Sequence, residues 1–273
     1  MKKYIVIILI ILSFEVYAKE KDGSKLVKIT ISRYEESKEF TWLIFTIIPD
    51  KGYHTYWLNP GDAGLPTKIE FDSSTINFSI FDTLWQIPEK IRESEFASFG
   101  YTKNHIVVFK IKKKTDITTD NFDINVKISW LVCKEICIPG SKQITINYNK
   151  IRKISKKEFA SFKSILPLDL PPYIKIKSIR NGEKIDLFIE NNPMLNNKIN
   201  DMTFYPYDEG YLNNGEKQEM TKDGKKIILH LTLDNLRNIE PKNIRGILVS
   251  SSPIIKDMPN KSIEINSEIF QNK

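Results

Sequence analysis

Two cysteines in 273 residues exclude a disulfide-built scaffold, so the fold has to stand on an apolar core of its own. The three histidines show no Cys-His spacing suited to a closed zinc site, and two thiolates fall short of the four ligands zinc usually takes. Arginine forms no cluster, and no aromatic residues interleave with a basic stripe. The formal net charge of +7 therefore reads as a lysine-rich solvated surface and not as a nucleic-acid interface. Only one long apolar run stands out. Tyr4 to Leu12 follows Lys2 and Lys3 and precedes Val16-Tyr17-Ala18, the layout of a secretory signal peptide. The run is short for a bilayer span. Glu15 argues against a retained anchor, and no cysteine stands at the cleavage site to carry a lipid. Residues 1–18 are expected to be removed, leaving a soluble, exported chain in a compartment that permits a disulfide.

What is present is mostly β pattern. Leu26 to Ile31 and Phe40 to Ile48 are rich in β-branched and aromatic residues and lack glycine, as strands require. Tyr53 to Trp57 is a short aromatic strand, and Leu58 to Pro66 a long turn-rich loop. Lys68 to Phe71, Ile106 to Ile111, Asp123 to Val132 and Gln143 to Tyr148 read as further strands, with Pro139-Gly140 as a turn. Glu95 to Tyr101 reads as an aromatic loop. About eight short strands and no convincing helix predict an antiparallel sandwich over 19–150. Residues 151–172 are expected to form a linker with one short helix. Ser155 and Glu158 stand at capping-box spacing, and Pro167, Pro171 and Pro172 end the helix. Strand patterns return over 173–273, with Asn181-Gly182 and Asp223-Gly224 as two-residue hairpin turns. The expectation is all-β: two antiparallel, immunoglobulin-like sandwiches. His230 lies inside an apolar strand and reads as structural. Tyr205, Tyr207 and Tyr211 around an acidic turn read as packing.

The two cysteines, Cys133 and Cys137, hold the chemistry. In a straight strand their Cα atoms would lie about 13 Å apart, whereas a disulfide needs roughly 4.4–6.8 Å. The pair closes only if Lys134-Glu135-Ile136 is a tight turn. Three readings then stand side by side. A structural bridge over so short a loop contributes only about 2 kcal/mol. A two-thiolate site suits transient copper(I). A short-loop disulfide that exchanges readily is a redox pair. Lys134 beside Cys133 favours its thiolate and Glu135 opposes it, so these neighbours leave the attacking sulfur open. The loop at Glu95–Tyr101 is suited to lie over the pair as a lid.

Trp130-Leu131-Val132-Cys133-Lys134-Glu135-Ile136-Cys137-Ile138-Pro139-Gly140 resembles the signature of the N-terminal periplasmic domain of the thiol:disulfide interchange protein DsbD and its relative ScsB, the suppressor-of-copper-sensitivity protein. Gly52 to Pro66 resembles a second family motif, and Gly100-Tyr101 falls at a third landmark. The resemblance covers 25–150. Phe204 to Gly210 and Arg245 to Val249 look like the second β domain of the ScsB branch.

The resemblance implies an immunoglobulin-like sandwich and an oxidoreductase-like interchange role in the periplasm without a cofactor. It implies Cys133 and Cys137 as the redox pair. Phe96, Phe99 and Tyr101 would form the shielding cap, and His54 and Tyr56 would stand beside the disulfide. It implies electrons from a thioredoxin-like donor and delivery to thioredoxin-fold periplasmic proteins, including those of cytochrome c maturation. The chain ends at Lys273 without the multi-helix membrane domain of those relatives, so a DsbD-type membrane donor is expected to act in trans. The alternatives are a non-catalytic binding module with a structural disulfide, and a copper-handling protein.

Overall fold

A computed structural model describes residues 22–272, apart from 74–76, 94–95, 115–120, 191–192, 197, 224–225 and 238. The expected signal peptide, Glu95 and Gly224 lie outside the described residues. The described chain is all-β apart from one α-helix and two short 3-10 turns.

The first unit contains β1 (Val27–Glu35), β2 (Phe40–Pro49), β3 (His54–Gly61), β4 (Lys68–Phe71), β5 (Phe78–Trp85), β6 (Glu89–Glu93), β7 (Phe96–Tyr101), β8 (His105–Lys113), β9 (Asp123–Cys133), β10 (Cys137–Asn147) and the short β11 (Arg152–Lys153). They form two sheets, ordered β11-β1-β2-β8-β5 and β10-β9-β3-β7-β6, with β4 also paired to β9. Between them lies a core that includes Phe45, Val107, Ile128, Trp130 and Val132. Strand alternation places these side chains inward. Burial of each such side chain stabilises the fold by roughly 1.5–3 kcal/mol.

Several expectations change here. Residues 96–101 are strand, clamped between β3 and β6, so they cannot swing as a free lid. Pro139-Gly140 does not turn the chain, because β10 runs through it. A strand tolerates proline at the sheet edge, and β10 is an edge strand in this sheet. Gly140 is required by close approach: a Cβ there would lie 2.6 Å from both the Gly23 backbone and Trp130 Nε1. β3 likewise extends to Gly61 through Asn59-Pro60, with a register irregularity between Tyr56 and Gly61.

Helix α1 (Lys156–Lys163) begins where the capping residues place it. Ser155 Oγ accepts from Glu158 N at 3.1 Å. The reciprocal half of the box is not made, because the Glu158 carboxylate turns to Arg152 at 2.8 Å instead. Phe159 stacks on Tyr34 with ring centroids 4.2 Å apart, which fixes the helix to the outer face of the first sheet.

The second unit contains β12 (Ile176–Asn181), β13 (Lys184–Glu190), β14 (Thr203–Pro206), β15 (Glu219–Asp223), β16 (Lys226–Thr232), β17 (Asn243–Val249) and β18 (Ser262–Gln271). They follow one path, β14-β17-β18-β12-β13-β16-β15. Phe204, Ile244 and Ile263 from one end share a core with Ile185, Leu187 and Leu229 from the other. The path therefore folds over itself about the long β18. The hairpin turn after β12 is Gly182-Glu183, one residue later than expected, since Asn181 pairs with Lys184 and Gly182 takes φ +60°.

The two units meet at an aromatic cluster of Trp57, Phe99 and Tyr101 with Tyr205 and Ile247. The segment between them is packed, not loose. Asn260 Nδ2 donates to the carbonyls of Lys163 and Leu166, each at 3.0 Å.

Candidate functional site

The hairpin β9–β10 brings the cysteines together. Cys133 and Cys137 are cross-strand partners, with Cα atoms 4.1 Å apart and a disulfide between them. Lys134-Glu135-Ile136 forms the tip, where Lys134 N donates to Ile136 O at 3.3 Å. The ladder continues for the full length of both strands, down to Asp123 and Asn147. The hairpin does not depend on the bridge for its register.

The two cysteines differ in exposure. Cys133 is 2% exposed, whereas Cys137 opens β10 and is exposed. Cys133 is shielded on its β3 side, where His54 is its cross-strand partner. Two residues on, Tyr56 points the same way, and its hydroxyl donates to Cys133 Sγ at 3.3 Å and stands 3.9 Å from Cys137 Sγ. His54 Nε2 is 3.3 Å from that hydroxyl, and the two rings meet edge to face. In the tautomer that carries its proton on Nε2, His54 donates to the tyrosine oxygen while the hydroxyl donates to sulfur.

Cross-strand partners share a sheet face, and neighbours along a strand alternate. His54, Cys133, Cys137 and Tyr56 stand on the outer face of the second sheet. Thr55, Val132 and Tyr101 are paired on the inner face. Phe99, flanked by Gly100, faces inward with Tyr101. This overturns both as shields of the disulfide. The Phe99 ring packs on Trp57 and Tyr205. Tyr101 stacks on His105 at 3.8 Å and donates to Gln86 O at 2.6 Å. Phe96 does face outward, 60% exposed, at the far end of β7. Lys134 and Glu135 are exposed at the hairpin tip, and the Lys134 stem lies beside Gly52 in the β2–β3 turn.

Burial sets the titration of the inward groups. The Tyr101 phenol is pushed well above its usual range. His105 is pushed down to about 3 by desolvation, against a hydrogen bond to Lys103 O.

The loop after β3 is the part of the site that sequence reasoning left without a role. Its Gly64 takes φ +105°, and a Cβ there would lie 2.3 Å from Tyr56 Cε1. The loop backbone therefore lies against the tyrosine ring. Thr67 Oγ1 donates to Tyr56 O at 2.7 Å. The signals were the density of Pro, Gly and Asp in this stretch and its place in the Gly52–Pro66 motif. Beside it is a groove of about 560 Å³, lined by Leu65, Pro66, Trp130, Pro139, Lys68 and Lys127 among others.

Among the described residues no group of three or more His, Cys, Asp and Glu side chains is placed to hold a metal ion. His230 lies in a cross-strand row, 2.7 Å from Asp186 and 3.0 Å from Thr221.

Residues 26–147 match the family model described as thiol:disulfide interchange protein DsbD, N-terminal. They belong to the DsbD N-terminal domain family. The family match supports a thiol–disulfide interchange role for this domain. The N-terminal periplasmic domain of ScsB from Proteus mirabilis is similar in structure, with TM-score 0.64 and 15% identity over 92% of this chain and 96% of that one. At that identity the likeness shows fold, and it includes the second sandwich. The reduced DsbD N-terminal domain of Neisseria meningitidis covers 46% of this chain and 89% of its own, at 12% identity and TM-score 0.32, too low to carry an argument. No curated protein matches the chain. The ScsB domain is periplasmic by its description.

Proposed function

We propose that the chain is a periplasmic exchange protein that takes two electrons from a thioredoxin-like dithiol and passes them to a thioredoxin-fold substrate through Cys133 and Cys137. The observation that carries this is the asymmetry of the pair, one sulfur open to a partner and the other buried under a hydroxyl donor.

An incoming partner thiolate attacks Cys137 Sγ, the sulfur it can reach. The Sγ–Sγ bond breaks and Cys133 leaves as a thiolate. Tyr56 already donates toward that atom, and a donor at the leaving sulfur favours its departure as the anion. The partner's second thiolate then attacks its own sulfur in the mixed disulfide and releases Cys137. The partner's dithiol is oxidised to a disulfide, and the Cys133–Cys137 disulfide is reduced to two thiols, with two protons taken up. Delivery runs the same steps in reverse. Cys137 thiolate attacks the substrate disulfide, and Cys133 resolves the mixed disulfide. Ile136, 57% exposed at the hairpin tip between the cysteines, is apolar surface on which a partner would rest.

The test is redox equilibration of the full chain with glutathione. A potential above about −300 mV supports exchange, and a lower one marks a structural bridge.

A further inference from the structure

The loop that lies on Tyr56 is tied to the second sandwich. Asn59, 1% exposed, donates through Nδ2 to Pro206 O at 2.8 Å and Asp208 O at 3.2 Å. Its Oδ1 accepts from Gly61 N at 2.9 Å. Asp62 is shared between the units. Its Oδ1 accepts from Asn214 Nδ2 at 2.8 Å, and its Oδ2 accepts from Ala97 N at 2.8 Å. Ser98 Oγ donates to Ala63 O at 3.1 Å. The loop is thus held at 59, 61, 62 and 63 just before Gly64 meets the Tyr56 ring.

A hydrogen bond to sulfur is weak, so packing has to aim the tyrosine. On the outer face that packing includes the His54 ring and the Gly64 backbone. The backbone is in turn fixed by side chains that reach across to 206, 208 and 214. We infer that the second sandwich is a positioning element for the redox pair: Asn214 and Asn59 hold the 61–64 loop so that Tyr56 keeps its hydroxyl on Cys133. This rests on the exchange reading above, and it assigns a task to the second unit that interface packing alone does not. Arg92 supplies the contrast. Its Nη1 donates to Gly215 O at 2.8 Å, tying the same two units from β6 with a side chain that bonds a carbonyl of the second unit and not Asn59 or Asp62.

The experiment is the glutathione equilibrium constant of the full chain for wild type, Asn214→Ala, Asn59→Ala, Tyr56→Phe, Arg92→Ala and the Asn214→Ala/Tyr56→Phe double variant. Asn214→Ala and Asn59→Ala are expected to shift the equilibrium at least threefold toward the disulfide, as Tyr56→Phe does. The Asn214→Ala effect should vanish in the Tyr56→Phe background, and Arg92→Ala should stay at the wild-type value. If wild type equilibrates and Tyr56→Phe moves the constant while both asparagine variants leave it unchanged, the positioning role is overturned and exchange stands. A shift by Asn214→Ala that persists in the Tyr56→Phe background, or an equal one from Arg92→Ala, overturns it too. A wild-type pair that does not equilibrate with glutathione overturns both readings.

Discussion

Tyr56 and Cys133 are joined by a hydroxyl-to-sulfur hydrogen bond of 3.3 Å, and the same hydroxyl stands farther, at 3.9 Å, from Cys137. The donor sits on the sulfur that a partner cannot reach. In the reduced protein it would face a thiolate, a stronger acceptor than a disulfide sulfur. A hydrogen bond to a charged group contributes about 1.5–3 kcal/mol, and one pKa unit corresponds to about 1.4 kcal/mol. Tyr56→Phe is therefore expected to raise the Cys133 thiol titration by about one unit and to slow reduction by a partner dithiol. Titration of the Cys137→Ser variant by thiolate absorbance, with and without Tyr56→Phe, measures it. Coincident curves would remove the tyrosine from the chemistry.

Gly64→Ala tests the contact on the other side of that ring. The backbone takes φ +105°, and the new Cβ would meet the Tyr56 ring at 2.3 Å. Positive φ and overpacking together cost roughly 2–4 kcal/mol. The expected result is a lower denaturant midpoint together with a redox shift in the Tyr56→Phe direction. A stable variant with an unchanged disulfide equilibrium would show that the loop does not press on the ring.

Reduction of the disulfide should leave the N-terminal sandwich folded. The β9–β10 ladder is paired along its whole length, and the bridge closes so short a loop that it contributes about 2 kcal/mol in the chain-entropy model. Denaturant unfolding of oxidised and reduced protein should differ by no more than that. Collapse of the sandwich on reduction would instead make the bridge structural.

His105 predicts a pH dependence. Its ring is buried against Tyr101, Nε2 has no hydrogen-bond partner, and its pKa falls from 6.5 to about 3. A depressed folded-state pKa contributes stability that is fully present above pH 6.5. It is lost as the pH falls from 6.5 toward 3, because only the unfolded chain takes up the proton in that window. The loss is on the order of 4–5 kcal/mol at the low end. His105→Phe keeps a ring against Tyr101 and should flatten the stability curve between pH 6 and 4. Parallel curves for variant and wild type would rule the histidine out as the source.

The cysteine hairpin was legible because geometry leaves a four-residue spacing only one way to close. The helix start at Ser155 was legible from its cap. Glu158 shows the limit of local pattern: its carboxylate has two partners in reach, and the Arg152 guanidinium wins over a neutral amide. Pro139-Gly140 has the composition of a turn. It became strand because the edge position tolerates proline and because Gly23 and Trp130 crowd Gly140, both tertiary facts. β7 read as loop because a short stretch with Ser and Gly gives no clean alternation, yet it is paired on both sides. β15 is polar and buries no side chain fully, so only the Asp223-Gly224 turn signal pointed to it. The role of Asn59 and Asp62 was out of reach altogether, since their partners lie 147 and 152 residues away.

In the proposed exchange Cys137 is the sulfur a partner engages and Cys133 the one that leaves. Single-cysteine trapping tests it most directly. Cys133→Ser and Cys137→Ser proteins are each incubated with an oxidised thioredoxin-fold substrate, and covalent adducts are weighed by mass spectrometry. Cys133→Ser should accumulate a mixed disulfide through Cys137, while Cys137→Ser, its remaining thiol buried at Cys133, should accumulate little or none. Equal trapping by both variants, or trapping by Cys137→Ser alone, would contradict the account.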